Sequence, residues 1–98
     1  MHEQSKIYQN IKDGKLDTAL KDLFENIEEN PAIVENYINA GIVLSDVGEI
    51  EKAERFFQKA LTIEPENGAV YYNLANIYYN EERYNEAIKL YQTALQYE

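Results

Sequence analysis

Few side chains in this sequence are suited to catalysis: one histidine, His2, no cysteine, and eighteen Asp and Glu residues. Without cysteine there is no thiolate to attack a substrate or bind a soft metal, and one imidazole near the N-terminus does not make a ligand set. No glycine-rich phosphate loop and no GxSxG elbow occurs. Acid–base work by carboxylates needs a desolvated pair held in a cleft. Glu25, Glu28 and Glu29, like Glu81 and Glu82, fall on helix ends or turns and read as solvated faces. The expectation is a protein that is not an enzyme, with no catalytic residue, cofactor or metal. Reversible binding is better served. Nine tyrosines offer contact area at low entropic cost plus a hydroxyl, and asparagine offers both donor and acceptor to a peptide backbone.

Helices must position these side chains. Ala, Glu, Leu, Lys and Gln fill the long stretches, while Gly14, Gly48, Gly68 and both prolines fall between them. A hydrophobic content of 45% with 28% charge, over 98 residues, fits one soluble all-helical domain spanning residues 1–98. A net charge of -9 repels phosphate backbones and anionic headgroups, so neither nucleic acid nor a membrane is an expected partner. The N-terminus lacks the basic and apolar regions of an export signal, and no apolar run approaches the roughly 18 residues of a membrane span. Absence of cysteine suits a reducing interior, so cytoplasmic placement is the default expectation.

The chain repeats itself. Pro31 recurs as Pro65, Gly14 as Gly48, and Ala19 as Ala53 and Ala87, each 34 residues apart. Overlaying residues 31–64 on 65–98 also pairs Tyr37 with Tyr71, Asn39 with Asn73, Gln58 with Gln92, Ala60 with Ala94, Leu61 with Leu95 and Glu64 with Glu98. Size is kept where identity is not: Gly41 faces Ala75, Val43 faces Ile77, and Phe57 faces Tyr91. Within each copy, helical spacing of apolar residues breaks at a turn and resumes, giving two helices per repeat. The boundaries expected are 3–13, 16–29, 32–47, 50–63, 68–81 and 84–97, in repeats of about 1–30 (diverged), 31–64 and 65–98. Small residues at 41, 53, 60, 75, 87 and 94 let helix backbones approach to about 8–10 Å. The prolines are expected to stop one helix and open the next near its first turn.

Residues 68–98, with Tyr71, Leu74, Ala75, Tyr78, Ala87, Tyr91 and Ala94 in phase, resemble tetratricopeptide repeats, and residues 34–65 match well. Residues 1–31 depart from the pattern at Ile7, Asn10 and Asn26. The resemblance implies an α-solenoid, a right-handed superhelix of three helix-turn-helix repeats, whose first helices line a concave groove for a peptide or a partner's helix.

Residues off the packing phase of the first helices form stripes spaced 3, 4 and 3: Met1, Gln4, Tyr8 and Ile11; Glu35, Ile38, Ile42 and Ser45; Ala69, Tyr72, Asn76 and Tyr79. Asn39, Asn73, Asp46 and Asn80 lie beside them. Tyr8, Ile38, Asn39, Ile42, Tyr72, Asn73, Asn76 and Tyr79 are therefore the expected peptide-binding groove, while Tyr37, Tyr71, Tyr78 and Tyr91 are in phase for packing. One branch of the family grips a C-terminal carboxylate with cationic side chains, but Gln4, Tyr8, Asn39, Ala69 and Asn73 supply no cation here. A neutral or basic protein or peptide is the expected ligand. The alternative is a self-assembly module. The sequence stops at Glu98 without a polar capping helix, so Ile88, Tyr91, Leu95 and Tyr97 are expected to be able to join two copies as a homodimer.

Overall fold

The computed structural model describes residues 16–98, and these form five helices with no strand among them. They are α1 (Leu16–Glu29), α2 (Val34–Asp46), α3 (Ile50–Ile63), α4 (Gly68–Asn80) and α5 (Tyr84–Gln96). The all-helical expectation is met, α3 matches its expected limits, and α1 ends at its expected residue. The helix expected at 3–13 lies outside the described residues.

Both prolines precede their helices rather than opening them. Pro31 and Pro65 lie in turns, and α2 and α4 begin three residues later. The Tyr37 hydroxyl donates to Pro31 O at 2.7 Å, and 34 residues on the Tyr71 hydroxyl donates to Pro65 O at 2.9 Å. The repeated tyrosine thus fills packing space with its ring and ties down the preceding turn with its hydroxyl.

Helices α2 and α3 form one antiparallel pair and α4 and α5 the next; α1 packs on α2, α4 packs on α3, and α2 lies beside α4. Ala19, Ala40, Ala53, Ala60 and Ala75 are fully buried, with Ala87 and Ala94 nearly so, which confirms the packing role of the small residues. Leu23, Phe57 and Val70 interlock around them, each burial contributing about 1.5–3 kcal/mol. At Gly41 the approach is closest: a β-carbon there would lie 2.6 Å from the Phe57 ring.

The turns inside the two complete pairs share a geometry that their sequences do not. After α2, Gly48 N–H donates to Ser45 O and Glu49 N–H to Leu44 O; after α4, Glu82 N–H donates to Tyr79 O and Arg83 N–H to Tyr78 O. Both are helix ends closed by a left-handed residue. That residue is Gly48 at φ 86° in one and Glu82 at φ 62° in the other.

Candidate functional site

Two clefts differ in character. The first lies between α2 and α4 and is lined by Ile42, Ser45 and Asp46 of α2, Phe57 of α3, and Asn73, Asn76 and Asn80 of α4, with a volume of about 260 Å³. Helical periodicity carries Asn73, Asn76 and Asn80 to one side of α4, because residues three and four apart share a face. Their amides are not equivalent. Asn73 Nδ2 donates to Ala69 O in its own helix at 2.8 Å, which leaves Oδ1 as its acceptor toward a ligand. Asn76 Oδ1 instead accepts from the Tyr91 hydroxyl, which leaves the Asn76 amino group as donor. Burial pushes the Tyr91 phenol above its ordinary value of 10.0, reinforced by Tyr72 and Tyr79, so it stays protonated and donating at neutral pH. One helical turn of α4 therefore presents an acceptor and a donor, the pair that a peptide group requires. Among the described residues, Asp46 is the one charged residue in this lining.

The second cleft is larger, about 680 Å³, and lies on the end face made by α4 and α5. Tyr72, Tyr91, Leu95 and Tyr97 line it, together with Gly68, Ala69, Ala94, Glu66 and Glu98. Its tyrosines are braced by ring contacts: the Tyr72 and Tyr91 ring centroids are 5.8 Å apart, and Tyr97 lies 5.7 Å from Tyr71, which is outside the lining. Gly68 allows α4 to start directly against α5, since a β-carbon there would meet Ala94 O at 2.8 Å.

The expected groove residues divide between these places. Ile42, Asn73 and Asn76 meet in the first cleft, and Asn73 also borders the second. Ile38 and Asn39 are half-buried, with Ile38 packed against the core between the repeats. Tyr72 joins Tyr91, Leu95 and Tyr97, three of the residues expected to self-associate. Tyr79 lines neither cleft and packs edge-on against Tyr84 at 5.4 Å. Ile88 is exposed and also lines neither. Tyr8 lies outside the described residues. The packing phase misses Phe57 as a cleft residue and Gly68 as a residue lining the end face, whereas Ala69 stands on the expected off-phase stripe. The 34-residue register could have found Gly68, since it maps onto Val34, which is buried in the core cluster that α4 joins.

A third cluster holds charge away from both clefts. Arg83 pairs with Glu86 through Nε at 2.9 Å and Nη2 at 2.6 Å, and its guanidinium lies 4.2 Å from the centre of the Tyr78 ring. Burial raises the Glu54 carboxyl above its ordinary 4.5, and nearby Glu81 adds to this more than Arg83 relieves it. Glu86 is lowered, first by its hydrogen bond to Arg83. Among the described residues no group of three His, Cys, Asp or Glu side chains could hold a metal ion, and no helix is long and apolar enough to cross a membrane.

Helix pairs stacked in register, with first helices side by side, define an α-solenoid of the kind that serves protein interaction. The tetratricopeptide repeat pattern matches residues 44–98, and the chain belongs to that family. Among solved structures it is similar to the crystal structure of MamA, with 24% identity, 93% of this chain and 53% of that one covered, and a TM-score of 0.82. A second MamA structure, AMB-1 P212121, gives 26% identity, 90% and 52% coverage and 0.78. The second TPR of Spaghetti (RPAP3) bound to the HSP90 peptide SRMEEVD gives 18% identity, 99% and 90% coverage and 0.83. The chain spans about half the length of the MamA structures, and at these identities the likeness is one of fold. No curated protein matches the sequence.

Proposed function

We propose that this chain is a non-enzymatic protein-interaction module that holds an extended segment of a partner polypeptide in the cleft between α2 and α4. The observation that carries this reading is the complementary pair on α4, with Asn73 Oδ1 as acceptor and the Asn76 amino group as donor. A peptide group lying across them satisfies both whatever its side chain, while half-buried Ile42 supplies apolar contact beside it. The related fold of RPAP3 is seen with the acidic peptide SRMEEVD. This cleft has different chemistry: among the described residues its lining carries the Asp46 carboxylate and no cation. An acidic segment would meet repulsion without compensation, so the ligand is neutral or basic, with binding that weakens as salt rises where basic residues contribute.

Selection of peptides of about 12 residues from a random library, followed by calorimetry, tests the reading. Selected sequences should be depleted of Asp and Glu, and an Asn73→Ala, Asn76→Ala double variant should lose about tenfold or more in affinity, or 1.4 kcal/mol. Undiminished affinity in that variant would remove the cleft from the account.

A further inference from the structure

The two helices that wall the concave cleft finish at the same end of it. Being the first helices of successive antiparallel pairs, α2 and α4 run parallel, and the negative ends of their dipoles come together where Ser45 and Asp46 close α2 and Asn80 closes α4. Neither helix has a basic residue in its last turn, and neither carries a Lys or Arg anywhere along its length. The described cations stand instead on α1, α3 and α5, at Lys21, Lys52, Arg55, Lys59 and Lys89, with Arg83 in the turn after α4. Arg83 follows Asn80 by three residues but is engaged elsewhere: it bonds Glu86 through Nε and Nη2, stands 3.6 Å from Glu81, and lies over the Tyr78 ring. Among the described residues no cation pairs with Asp46. One carboxylate and two helix C-termini thus meet in the cleft without a positive charge beside them.

We infer that this end of the cleft is a subsite for an arginine side chain of the bound segment, an assignment that rests on reading the cleft as a polypeptide site. Acceptors line both walls: the Asp46 carboxylate and the Ser45 hydroxyl oxygen on α2, and Asn80 Oδ1 on α4. A guanidinium serves several of them at once with its planar fork of donors and pairs a carboxylate bidentately, whereas a lysine ammonium acts as a point charge. Half-buried Ile42, four residues before Asp46 on the same face of α2, meets the aliphatic stem of the arginine. Asn80 lies one helical turn, about 6 Å, beyond Asn76. The arginine is therefore at, or next to, the residue whose peptide group Asn73 and Asn76 hold. Only one wall is charged, because the counterpart of Asp46 in the 34-residue register is Asn80. The subsite accordingly takes one cation rather than a basic run.

Two synthetic pools of peptides of about 12 residues, random except for a central arginine in one and its neutral isostere citrulline in the other, are the probes, and retention on the immobilised full chain is read first. The arginine pool should be enriched. Single peptides recovered from it, remade with citrulline, should bind about tenfold or more weakly in calorimetry, and the difference should shrink as salt rises. Asp46→Asn should bring each pair to within about twofold while the citrulline peptide keeps its parental affinity; the side chain is exposed, so circular dichroism should show the variant folded. Glu25→Gln removes the same charge from the exposed side of α1 and should leave the difference intact. Equal affinities on the parent, or a difference that survives Asp46→Asn or disappears equally in Glu25→Gln, overturn the subsite while the pairing with Asn73 and Asn76 stands. Retention of neither pool removes the cleft and the subsite together.

Discussion

The Tyr91 hydroxyl of α5 donates a hydrogen bond to Asn76 Oδ1 of α4, tying the side chain that borders the end face to one that lines the concave cleft. The bond fixes which half of the Asn76 amide faces a ligand. Tyr91→Phe keeps the ring and removes the donor, so Asn76 is free to turn. The variant should lose about 1 kcal/mol of stability in urea denaturation, and peptide selected on the parent should bind it more weakly at unchanged helix content. Parental stability and affinity together would show that the bond orients nothing.

Glu82 holds at φ 62° the turn position that Gly48 holds at φ 86°. A side chain in the left-handed region costs about 1–2 kcal/mol, whereas glycine gives up about 0.4–1 kcal/mol through its freer unfolded chain. Glu82→Gly should therefore stabilise the protein by about 0.5–1 kcal/mol in urea denaturation. A destabilised variant would mean that the Glu82 side chain contributes more than its backbone conformation costs.

Gly41 leaves no room for a methyl group, because the Phe57 ring beside it is itself shut in the core. Gly41→Ala should cost about 1–3 kcal/mol by overpacking, outweighing the helix propensity that alanine adds. The matching site of the next repeat already carries Ala75, and Tyr91, the counterpart of Phe57, is only half-buried. Ala75→Gly should cost about 1 kcal/mol from propensity alone. Thermal melts of both variants decide the comparison.

The charge cluster gives a pH dependence of known sign. Glu54 has a folded pKa raised above its ordinary 4.5, so its contribution to stability is full below 4.5 and is lost as pH rises through the raised value. Glu86 behaves oppositely: its pKa is lowered, so its contribution is present above 4.5 and lost as pH falls. Glu54→Gln should raise the melting temperature at neutral pH, with the gain disappearing below pH 4.5. A gain that persists at low pH would point to packing rather than ionisation.

The repeat made most of this architecture legible. Ala53 with Ala87, and Ala60 with Ala94, recur because helix backbones pack closely at both levels of the stack, and that requirement writes a 34-residue period into the sequence. The break between the helices at 82–83 was legible, but the left-handed backbone of Glu82 was not, since it is held by hydrogen bonds from Glu82 and Arg83 while the glycine that would signal it is missing. The site was legible only in part. Ile38 and Tyr72 occupy the same register, so periodicity gives them one role, yet α4 packs over the surface around Ile38 and no described residue covers Tyr72. What separates them is a stacking neighbour, which lies in another repeat and leaves no mark in the local pattern. The amide orientations of Asn73 and Asn76 are set in the same way by their partners, Ala69 O and the Tyr91 hydroxyl.

Titration of the isotope-labelled protein with a library-selected peptide, followed by nuclear magnetic resonance, tests most directly whether the cleft between α2 and α4 is where a partner is held. The account predicts that the side-chain amides of Asn73 and Asn76 shift together with the backbone of Ile42 and Ser45, and that the outer side of α3 stays unmoved. Shifts confined to α1 and the outer side of α3, with both asparagine amides unchanged, would contradict it.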